Sequence, residues 1–188
     1  MRVIAGAWKG RHIAAPTGRD TRPTADRVRE AIFSAVYSAM GTIEGAVVAD
    51  LYAGSGALGI EALSRGAASC VFVEIDRRAV SVIQRNLDDL GVAPGDARIL
   101  HADVGRIGGL AEAMGPVSLL LADPPYRIDA AAFRQVMEAL TKRGALEEGA
   151  LVVYEHAAES AAEWPSGFDA GPTRRYGDTA VSLATYEG

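Results

Sequence analysis

From residue 46 onward the chain alternates short apolar runs with amphipathic segments, a pattern typical of repeated strand–helix units. The apolar runs predict strands over residues 46–50, 70–75, 98–101, 117–122 and 150–154. The amphipathic segments predict a helix that ends near residue 65 and helices over 77–90 and 130–142. Residues 173–183 predict two further strands around a Gly177-Asp178 turn. This order predicts an α/β fold with a doubly wound, mostly parallel seven-stranded sheet and an antiparallel C-terminal hairpin.

The length and composition favour one well-buried domain. The chain has 188 residues, of which 49% are hydrophobic and 23% are charged. Its N-terminus lacks the apolar core of a secretory signal, and no apolar run approaches the roughly 18 to 20 residues that cross a bilayer. Cys70 is the single cysteine and lies in an apolar run, which indicates a core thiol. We therefore expect a cytoplasmic protein without a membrane segment.

The basic side chains are concentrated at the N-terminus. Residues 1–29 contain seven lysines and arginines against two aspartates, a local charge of +5 in a chain whose net charge is −5. This charge favours either a surface that binds a polyanion or a solvated terminal extension. We expect residues 1–22 to form a basic β-hairpin extension on a domain that spans 23–188. That domain begins with an amphipathic helix, capped by Thr24 and ending near Gly41.

A glycine-rich turn follows the first predicted strand. The segment Asp50-Leu51-Tyr52-Ala53-Gly54-Ser55-Gly56-Ala57-Leu58-Gly59 contains the spacing Gly-x-Gly-x-x-Gly, and Glu74 lies twenty residues after Gly54. Glycines at a strand-to-helix turn let the backbone approach a ligand, and the helix N-terminus offers unpaired N–H groups. The same spacing marks dinucleotide sites. The glycines and Glu74 alone therefore leave both NAD(P) and S-adenosylmethionine open.

Three carboxylates that follow successive predicted strands favour S-adenosylmethionine. Asp50 ends the first strand, where an anion suits the positively charged amino-acid end of this cofactor and suits a pyrophosphate poorly. Glu74 ends the second strand, where its carboxylate can accept hydrogen bonds from both ribose hydroxyls. Asp103 follows the third strand and can accept one from the adenine amino group. Each carboxylate is alternatively a helix-start cap, but the set predicts a cofactor site at the switch point of the sheet.

Asp123-Pro124-Pro125-Tyr126 directly follows the fourth predicted strand. The two prolines hold the chain extended, so that the Asp123 carboxylate, the Pro124 carbonyl and the Tyr126 ring are presented together. A nucleobase amino group is a weak nucleophile, because its lone pair is delocalised into the ring. Two acceptors on its N–H bonds aim that lone pair at a methyl donor, and Tyr126 can stack on a flipped or loop-presented base. Alternatively, the two prolines only stiffen the chain where it leaves the strand. Because the glycine turn follows another strand of the same predicted sheet, these four residues, called the tetrad below, predict the catalytic centre.

Several motifs along nearly the whole chain occur together in a known family. They are Arg2-Val3-Ile4-Ala5-Gly6, Trp8-Lys9-Gly10-Arg11, Arg22-Pro23-Thr24, Asp26-Arg27-Val28-Arg29-Glu30, Ala53-Gly54-Ser55-Gly56-Ala57-Leu58-Gly59, Glu61-Ala62-Leu63-Ser64-Arg65, Asp123-Pro124-Pro125-Tyr126 and Arg175-Tyr176-Gly177-Asp178-Thr179. On these motifs the chain resembles bacterial methyltransferases that modify the N2 of a specific guanine in 16S ribosomal RNA.

This resemblance implies a Rossmann-like class I methyltransferase fold with an N-terminal β-hairpin extension. It further implies S-adenosylmethionine as cofactor and 16S rRNA within an assembling or assembled small ribosomal subunit as partner. Nothing in the sequence requires more than a monomer, which is the expected state. The expected cofactor-binding residues are Asp50, Gly54, Gly56, Glu74, its neighbour Ile75, and Asp103. The expected RNA-binding residues are Arg2, Lys9, Arg11, Arg22 and Arg27.

Other interpretations remain open at this point. The tetrad also occurs in enzymes that methylate adenine N6 in nucleic acid or a protein side-chain amide, and the alternatives outside this chemistry are a NAD(P)-dependent oxidoreductase and a non-catalytic RNA-binding protein. The three histidines show no metal-ligand spacing, so no metal site is expected. Tyr154-Glu155-His156 ends the fifth predicted strand and is interpreted as structural, while Arg174 and Arg175 are candidate phosphate contacts.

Overall fold

The chain folds around a seven-stranded sheet, as a computed structural model shows for residues 1–15, 23–106, 109–125 and 128–188, with the backbone alone at 23–25. The helices are α1 (Pro23–Met40), α2 (Ala57–Ser64), α3 (Arg77–Leu90), α4 (Leu110–Met114) and α5 (Ala130–Thr141). The strands are β1 (Val47–Leu51), β2 (Ser69–Glu74), β3 (Ala97–His101), β4 (Val117–Ala122), β5 (Leu146–Ala157), β6 (Phe168–Tyr176) and β7 (Thr179–Tyr186). The predicted fold class is confirmed.

The order of the strands in the sheet is β3-β2-β1-β4-β5-β7-β6. Strands β1 to β5 run parallel, and β7 pairs antiparallel with both β5 and β6. The chain moves outward from β1 to β3 and then crosses back to β4, whose Leu121 pairs with Asp50 of β1. In such a sheet the crevice at the carboxyl ends of the two central strands is the usual place for a ligand. Asp50 and Asp123 both belong to these strand ends.

Helices cover both faces of the sheet, because successive side chains of a strand point to opposite sides. On one face, α1, α2 and α3 pack against residues such as Val48 of β1 and Leu121 of β4. On the other face, α4 and α5 pack against Ala49 and Leu120. Cys70 is buried in the first of these cores, as predicted for a core thiol. Among the helices that the structure describes, none has the length and apolar character to cross a membrane.

The helices beside the strand ends begin at defined caps. The Asp76 carboxylate accepts the N–H of Arg78 at the start of α3, and the Asp129 carboxylate accepts the N–H of Ala132 at the start of α5, both at 2.8 Å. These bonds satisfy helix N–H groups that have no partner within the helix. Both caps fix where the chain turns away from the cavity edge. The cap predicted at Thr24 concerns a side chain outside the described residues; α1 begins at Pro23.

Two strands begin well before their predicted first residues, and in both cases the reason is exposure, while other boundaries differ by single residues. β5 begins at Leu146 rather than at residue 150, because its early residues 147–149 are exposed and carry no apolar signal. β6 begins at Phe168 rather than at residue 173, since it is the edge strand and most of its residues face solvent. The short helix α4 was not predicted from the sequence. Within the range Val117–Ala122, β4 agrees with the prediction at both ends.

The N-terminal arm, defined here as residues 1–14, pairs with itself only briefly. Arg2 and His12 form one antiparallel bridge, and Val3 exchanges backbone hydrogen bonds with Arg11 and Gly10. The arm therefore has only this short antiparallel pairing near its two ends, where a longer β-hairpin was expected. Gly6, at a φ of 83°, passes so close to α2 that a Cβ would lie 1.7 Å from the Ser64 carbonyl oxygen. A residue other than glycine does not fit at this crossing.

Several other backbone donors of the arm bind side chains of the domain instead of a partner strand, which explains why the arm does not form a longer hairpin. The N–H groups of Ile4 and Ala5 each donate to one carboxylate oxygen of Glu61, at 2.8 and 2.9 Å. Glu61 is 1% exposed and also pairs with Arg65 at 2.8 Å and with Arg29 at 3.7 Å. The arm is thus packed onto α2. The boundary predicted at residue 22 falls outside the described residues and stays a prediction.

Candidate active site

A cavity of about 730 Å³ lies at the carboxyl ends of β2, β3 and β4, next to α5. Its wall includes residues from the end of β2, from the segment after β3 and from the segment after β4: Glu74, Ile75, Asp76, Asp103, Val104, Gly105 and Pro125. Tyr52, just after β1, also lines it. Three of the predicted site residues, Glu74, Ile75 and Asp103, therefore share one cavity wall. This is the crevice that the sheet topology leads one to expect.

The turn between β1 and α2 is built on left-handed backbone. Gly54 and Gly56 have φ values of 59° and 78°, which glycine adopts without strain. Gly59 serves a different purpose, because a Cβ there would lie 2.4 Å from the ring of Phe72 and 2.6 Å from the sulfur of Cys70. The third glycine of the motif thus lets α2 pack closely on β2. The sequence motif accordingly combines backbone shape with helix–sheet packing.

The Asp50 carboxylate is buried beneath this turn. It is 1% exposed and accepts the N–H of Gly59 in the first turn of α2 at 2.8 Å. Burial raises the pKa of Asp50 well above its usual value, and the charges of Asp123 and Glu74 raise it further, while the hydrogen bond from Gly59 acts in the opposite direction. One oxygen of Asp50 therefore acts as a helix-start cap. Its charge is also coupled to the catalytic candidate on the neighbouring strand.

The Glu74 carboxylate ties the glycine turn to the end of β2. One oxygen accepts the N–H of Gly54 at 2.7 Å, and the other accepts the N–H groups of Ile75 and Asp76 at 2.8 Å each. Glu74 is buried, yet it lines the cavity. Ile75 is 54% exposed at the same wall, an unusual position for a large aliphatic side chain. A fixed carboxylate beside an exposed apolar side chain suits a ligand with a hydroxylated ring and a flat apolar face.

Asp103 lines the same cavity from the segment after β3. Its carboxylate accepts the N–H of Gly105 at 2.9 Å and lies 3.9 Å from the Arg106 guanidinium group. The side chain remains 45% exposed, which leaves it accessible to a ligand. His101 Nε2 donates to the Ile75 carbonyl oxygen at 2.9 Å and so links the ends of β3 and β2. The third predicted carboxylate is therefore in place at the cavity.

The segment after β4 brings three of the four predicted catalytic residues, Asp123, Pro124 and Pro125, to the same edge. Asp123 is exposed, Pro124 is buried and Pro125 lines the cavity. The Pro125 carbonyl oxygen accepts the N–H of Ile128 at 2.9 Å, which turns the chain back toward α5. Tyr126 lies outside the described residues. The exposed Asp123 is therefore followed directly by the buried Pro124, while the extended course of the whole tetrad stays a prediction.

Two residues at this edge were not assigned to the site from the sequence. Tyr52 adopts a φ of 61°, which is strained for a residue with a side chain, and it lines the cavity. Burial, then the charge of Asp103, raises the pKa of Tyr52 to about 12. Glu155, interpreted from the sequence as structural, follows β5 residues paired with β4, and burial together with the charge of Asp123 raises its pKa to about 8. Its position after an apolar run, like that of Asp123, was the available signal.

Four of the five predicted RNA-binding residues lie on the arm or near the start of α1. Arg2 donates to the Gly10 carbonyl oxygen at 2.7 Å, and Arg11 donates to the Asp89 carbonyl oxygen of α3 at 2.5 Å. Lys9 is exposed at the turn of the arm, and Arg27 is exposed on α1. Arg22 lies outside the described residues. The arm therefore brings Arg2, Lys9 and Arg11 together on a docked segment.

The strand order, the glycine turn and the acidic strand ends define a Rossmann-like methyltransferase of class I. The family model described as "Conserved hypothetical protein 95" matches residues 1–185. The chain is 36% identical to the Bacillus subtilis protein named "Putative rRNA methyltransferase YlbH", over 97% of each chain. It is 35% identical to the Escherichia coli protein named "Ribosomal RNA small subunit methyltransferase D", over 85% of this chain and 76% of that one.

A solved structure is similar to this chain over its full length. The Escherichia coli structure described as "Putative methyltransferase yhhF" superposes with a TM-score of 0.84 at 30% identity, over 100% of this chain and 98% of that one. The family match over almost the entire chain and the identities above 30% are sufficient for an assignment. The chain belongs to the "Conserved hypothetical protein 95" family, together with the small-subunit rRNA methyltransferase D proteins.

Proposed function

We propose that the protein transfers a methyl group from S-adenosylmethionine to the exocyclic N2 of a guanine in 16S rRNA of the small ribosomal subunit. The observation that carries this proposal is the exposed Asp123 carboxylate at the end of β4, beside a cavity lined by Glu74 and Asp103. We further propose that it acts in the cytoplasm as a monomer. The relatives named as rRNA and small-subunit rRNA methyltransferases support the choice of substrate.

The residues of the cavity fit S-adenosylmethionine. Its ribose carries two hydroxyl groups, and the Glu74 carboxylate is a buried, oriented acceptor at the cavity wall. Its adenine has an apolar face for the exposed Ile75 and an amino group for Asp103. An acidic wall also favours a cationic cofactor over the two anionic phosphates of a dinucleotide. When bound, S-adenosylmethionine supplies an electrophilic methyl group.

The turn after β1 has two tasks in this proposal. Gly54 and Gly56, in left-handed conformations, let the backbone approach the cofactor closely. Asp50 holds α2 in place through Gly59, and a cofactor ammonium group beside its buried carboxyl group favours the ionised form. These assignments give each member of the motif a physical role.

Asp123 and Pro124 prepare the nucleophile. The Asp123 carboxylate and the Pro124 carbonyl accept hydrogen bonds from the two N–H bonds of the guanine amino group, which favours a pyramidal nitrogen with its lone pair directed at the methyl carbon. As the nitrogen–carbon bond forms, positive charge develops on the nitrogen, and the Asp123 carboxylate stabilises it and receives the proton that leaves. Tyr126 stacks on the base in this proposal.

The arm and the start of α1 hold the RNA. Arg2, Lys9, Arg11, Arg22 and Arg27 supply positive charge for phosphate groups on a protein whose remaining surface is acidic. Because the arm is docked on α2 through Glu61, its charges occupy fixed positions relative to the active site. A fixed basic segment orients a large polyanion better than a free tail does.

The proposal is tested by incubating the protein with labelled S-adenosylmethionine and three substrates: free 16S rRNA, small subunits from a strain that lacks the enzyme, and DNA. Asp123→Ala serves as the inactive control. We expect label in 16S rRNA, as free RNA or in the subunit, and none with the control. Label only in DNA, or equal labelling by the control, contradicts the proposal.

A further inference from the structure

Glu155 lies beside Asp123 at the end of the sheet. In the parallel pairing of β4 with β5, Ala122 is the partner of Tyr154. One residue further along each strand, Asp123 and Glu155 are therefore neighbours across the pair. Two residues earlier, Leu121 and Val153 point into the core beneath α1, and alternation places Asp123 and Glu155 on this same face.

The surroundings of Glu155 contain an unusual concentration of negative charge. The charge of Asp123 acts on Glu155 and also on Asp50, the last polar residue of β1. On the other side, β7 presents the apolar Val181 opposite Glu155, and the cationic Arg174 lies one strand further, on β6. Two adjacent carboxyl groups, of which one is partly buried, do not both ionise readily, so the pair retains a proton. Glu155 is the more buried of the two and is the member expected to keep it.

We propose that Glu155 is a positioning residue for methyl transfer, whose neutral carboxyl group donates a hydrogen bond to the Asp123 carboxylate and orients it toward the substrate amino group. This inference rests on the proposed function, since it takes Asp123 as the acceptor of the amino N–H.

A neutral Glu155 can orient the Asp123 carboxylate without changing the net charge of the site. Asp123 is exposed, and each rotamer of its side chain places the carboxylate oxygens differently. A neutral donor on the adjacent strand selects the rotamer that faces it, without adding a second negative charge beside the nucleophile. A glutamine at the same position carries an N–H donor of similar reach, whereas an alanine carries none. The proposal therefore distinguishes these two substitutions.

The experiment compares Glu155→Gln, Glu155→Ala and the matched control Glu148→Ala, an exposed glutamate on the same strand. Single-turnover rates, the KM for small subunits and the cofactor Kd are measured for each, with a thermal unfolding curve as a check on folding. We expect Glu155→Ala to lower kcat by roughly 10- to 100-fold, the scale of a misplaced catalytic group, with KM and the cofactor Kd unchanged. We expect Glu155→Gln to keep kcat close to that of the unmodified protein.

A second measurement separates positioning from a merely structural role. If Glu155 acts through Asp123, then Glu155→Ala has no further effect on the residual rate of Asp123→Ala, so the two losses are not additive. Full additivity overturns the proposal, as do an unchanged kcat in Glu155→Ala and an equal loss in Glu155→Gln. If Glu155→Ala does not fold, Glu155→Met replaces it, because methionine is an unbranched side chain of similar length without a hydrogen-bond donor and should lower kcat in the same way. An unmodified protein that transfers no methyl group refutes the proposed function instead.

Discussion

The Glu74 carboxylate accepts the N–H of Gly54 at 2.7 Å, joining two residues twenty positions apart in sequence. Its second oxygen accepts the N–H groups of Ile75 and Asp76, so one side chain fixes both the glycine turn and the end of β2. The predicted ribose acceptor is thus a structural element of the cofactor pocket as well. A substitution at Glu74 is expected to affect both roles.

Glu74→Ala should weaken S-adenosylmethionine binding by roughly 10- to 100-fold, because hydrogen bonds to a charged group contribute about 1.5–3 kcal/mol. It should also lower the unfolding temperature, since backbone N–H groups lose their buried acceptor. Titration calorimetry and thermal unfolding check the two effects, with the exposed Glu159→Ala as control. Unchanged cofactor affinity in Glu74→Ala would remove Glu74 from the cofactor site.

Asp123→Ala should leave the cofactor Kd close to that of the unmodified protein and lower turnover by about 10²- to 10³-fold, as expected for the loss of one group that stabilises the developing charge. The physical reason is that Asp123 is exposed at the proposed substrate side, while Glu74 and Asp103 line the cavity proposed for the cofactor. Calorimetry and single-turnover kinetics measure the two quantities separately. A parallel loss of affinity and rate would make Asp123 a cofactor ligand.

The two lysines of the chain provide a matched test of the RNA surface. Lys9 lies on the basic arm and Lys142 at the end of α5, and both are exposed. Lys9→Glu should weaken binding to small subunits and reduce the slope of log affinity against log salt by about 1 for each phosphate group that is no longer neutralised. Lys142→Glu should leave both quantities nearly unchanged. Equal effects of the two variants would indicate a general charge effect instead of a specific surface.

The raised pKa of Glu155 predicts how stability varies with pH. Its pKa is raised from 4.5 to about 8 in the folded protein by burial and the charge of Asp123. Between these values the folded state binds more protons than the unfolded state, so the free energy of unfolding falls as pH rises through this window. Glu155→Gln removes this contribution.

Chemical denaturation from pH 5 to pH 8 should therefore show a smaller decline for Glu155→Gln than for the unmodified protein. Asp50, whose pKa is also raised, contributes in the same direction in both proteins and cancels in the difference. Identical slopes for the two proteins would show that Glu155 is ionised across the window. A steeper fall of the unfolding free energy with pH in Glu155→Gln would contradict the raised pKa of Glu155.

The sheet could be predicted from the sequence where strands are buried. β4 is apolar over Val117–Ala122 and is covered on both faces, so its boundaries and the position of Asp123 were predicted correctly. β5 and β6 were placed too short, because their exposed residues do not carry the apolar pattern. The hydrophobic pattern of a sequence marks buried residues, so it does not locate the end of a strand whose terminal residues are exposed.

The candidate site shows the same division. Glu74 and Asp103 could be proposed as site residues because a carboxylate at or just after the end of an apolar run can be recognised from the sequence alone. The strained Tyr52 and the Asp123–Glu155 pair depend on backbone angles and on which strands are neighbours, neither of which local sequence specifies. Docking of the arm on Glu61, across more than fifty residues, is likewise a tertiary contact. Contacts between residues that are distant in sequence can be predicted only when the order of the strands and helices in space is known.

The central claim is methylation of guanine N2 in 16S rRNA, and nucleoside analysis tests it most directly. Small subunits from a strain that lacks the enzyme are incubated with the protein and S-adenosylmethionine, and the 16S rRNA is digested and examined by mass spectrometry against nucleoside standards. The account predicts one additional N2-methylguanosine per 16S rRNA, which is absent with Asp123→Ala. A methyl group found on adenine N6, or on a ribosomal protein and not on the RNA, would contradict it.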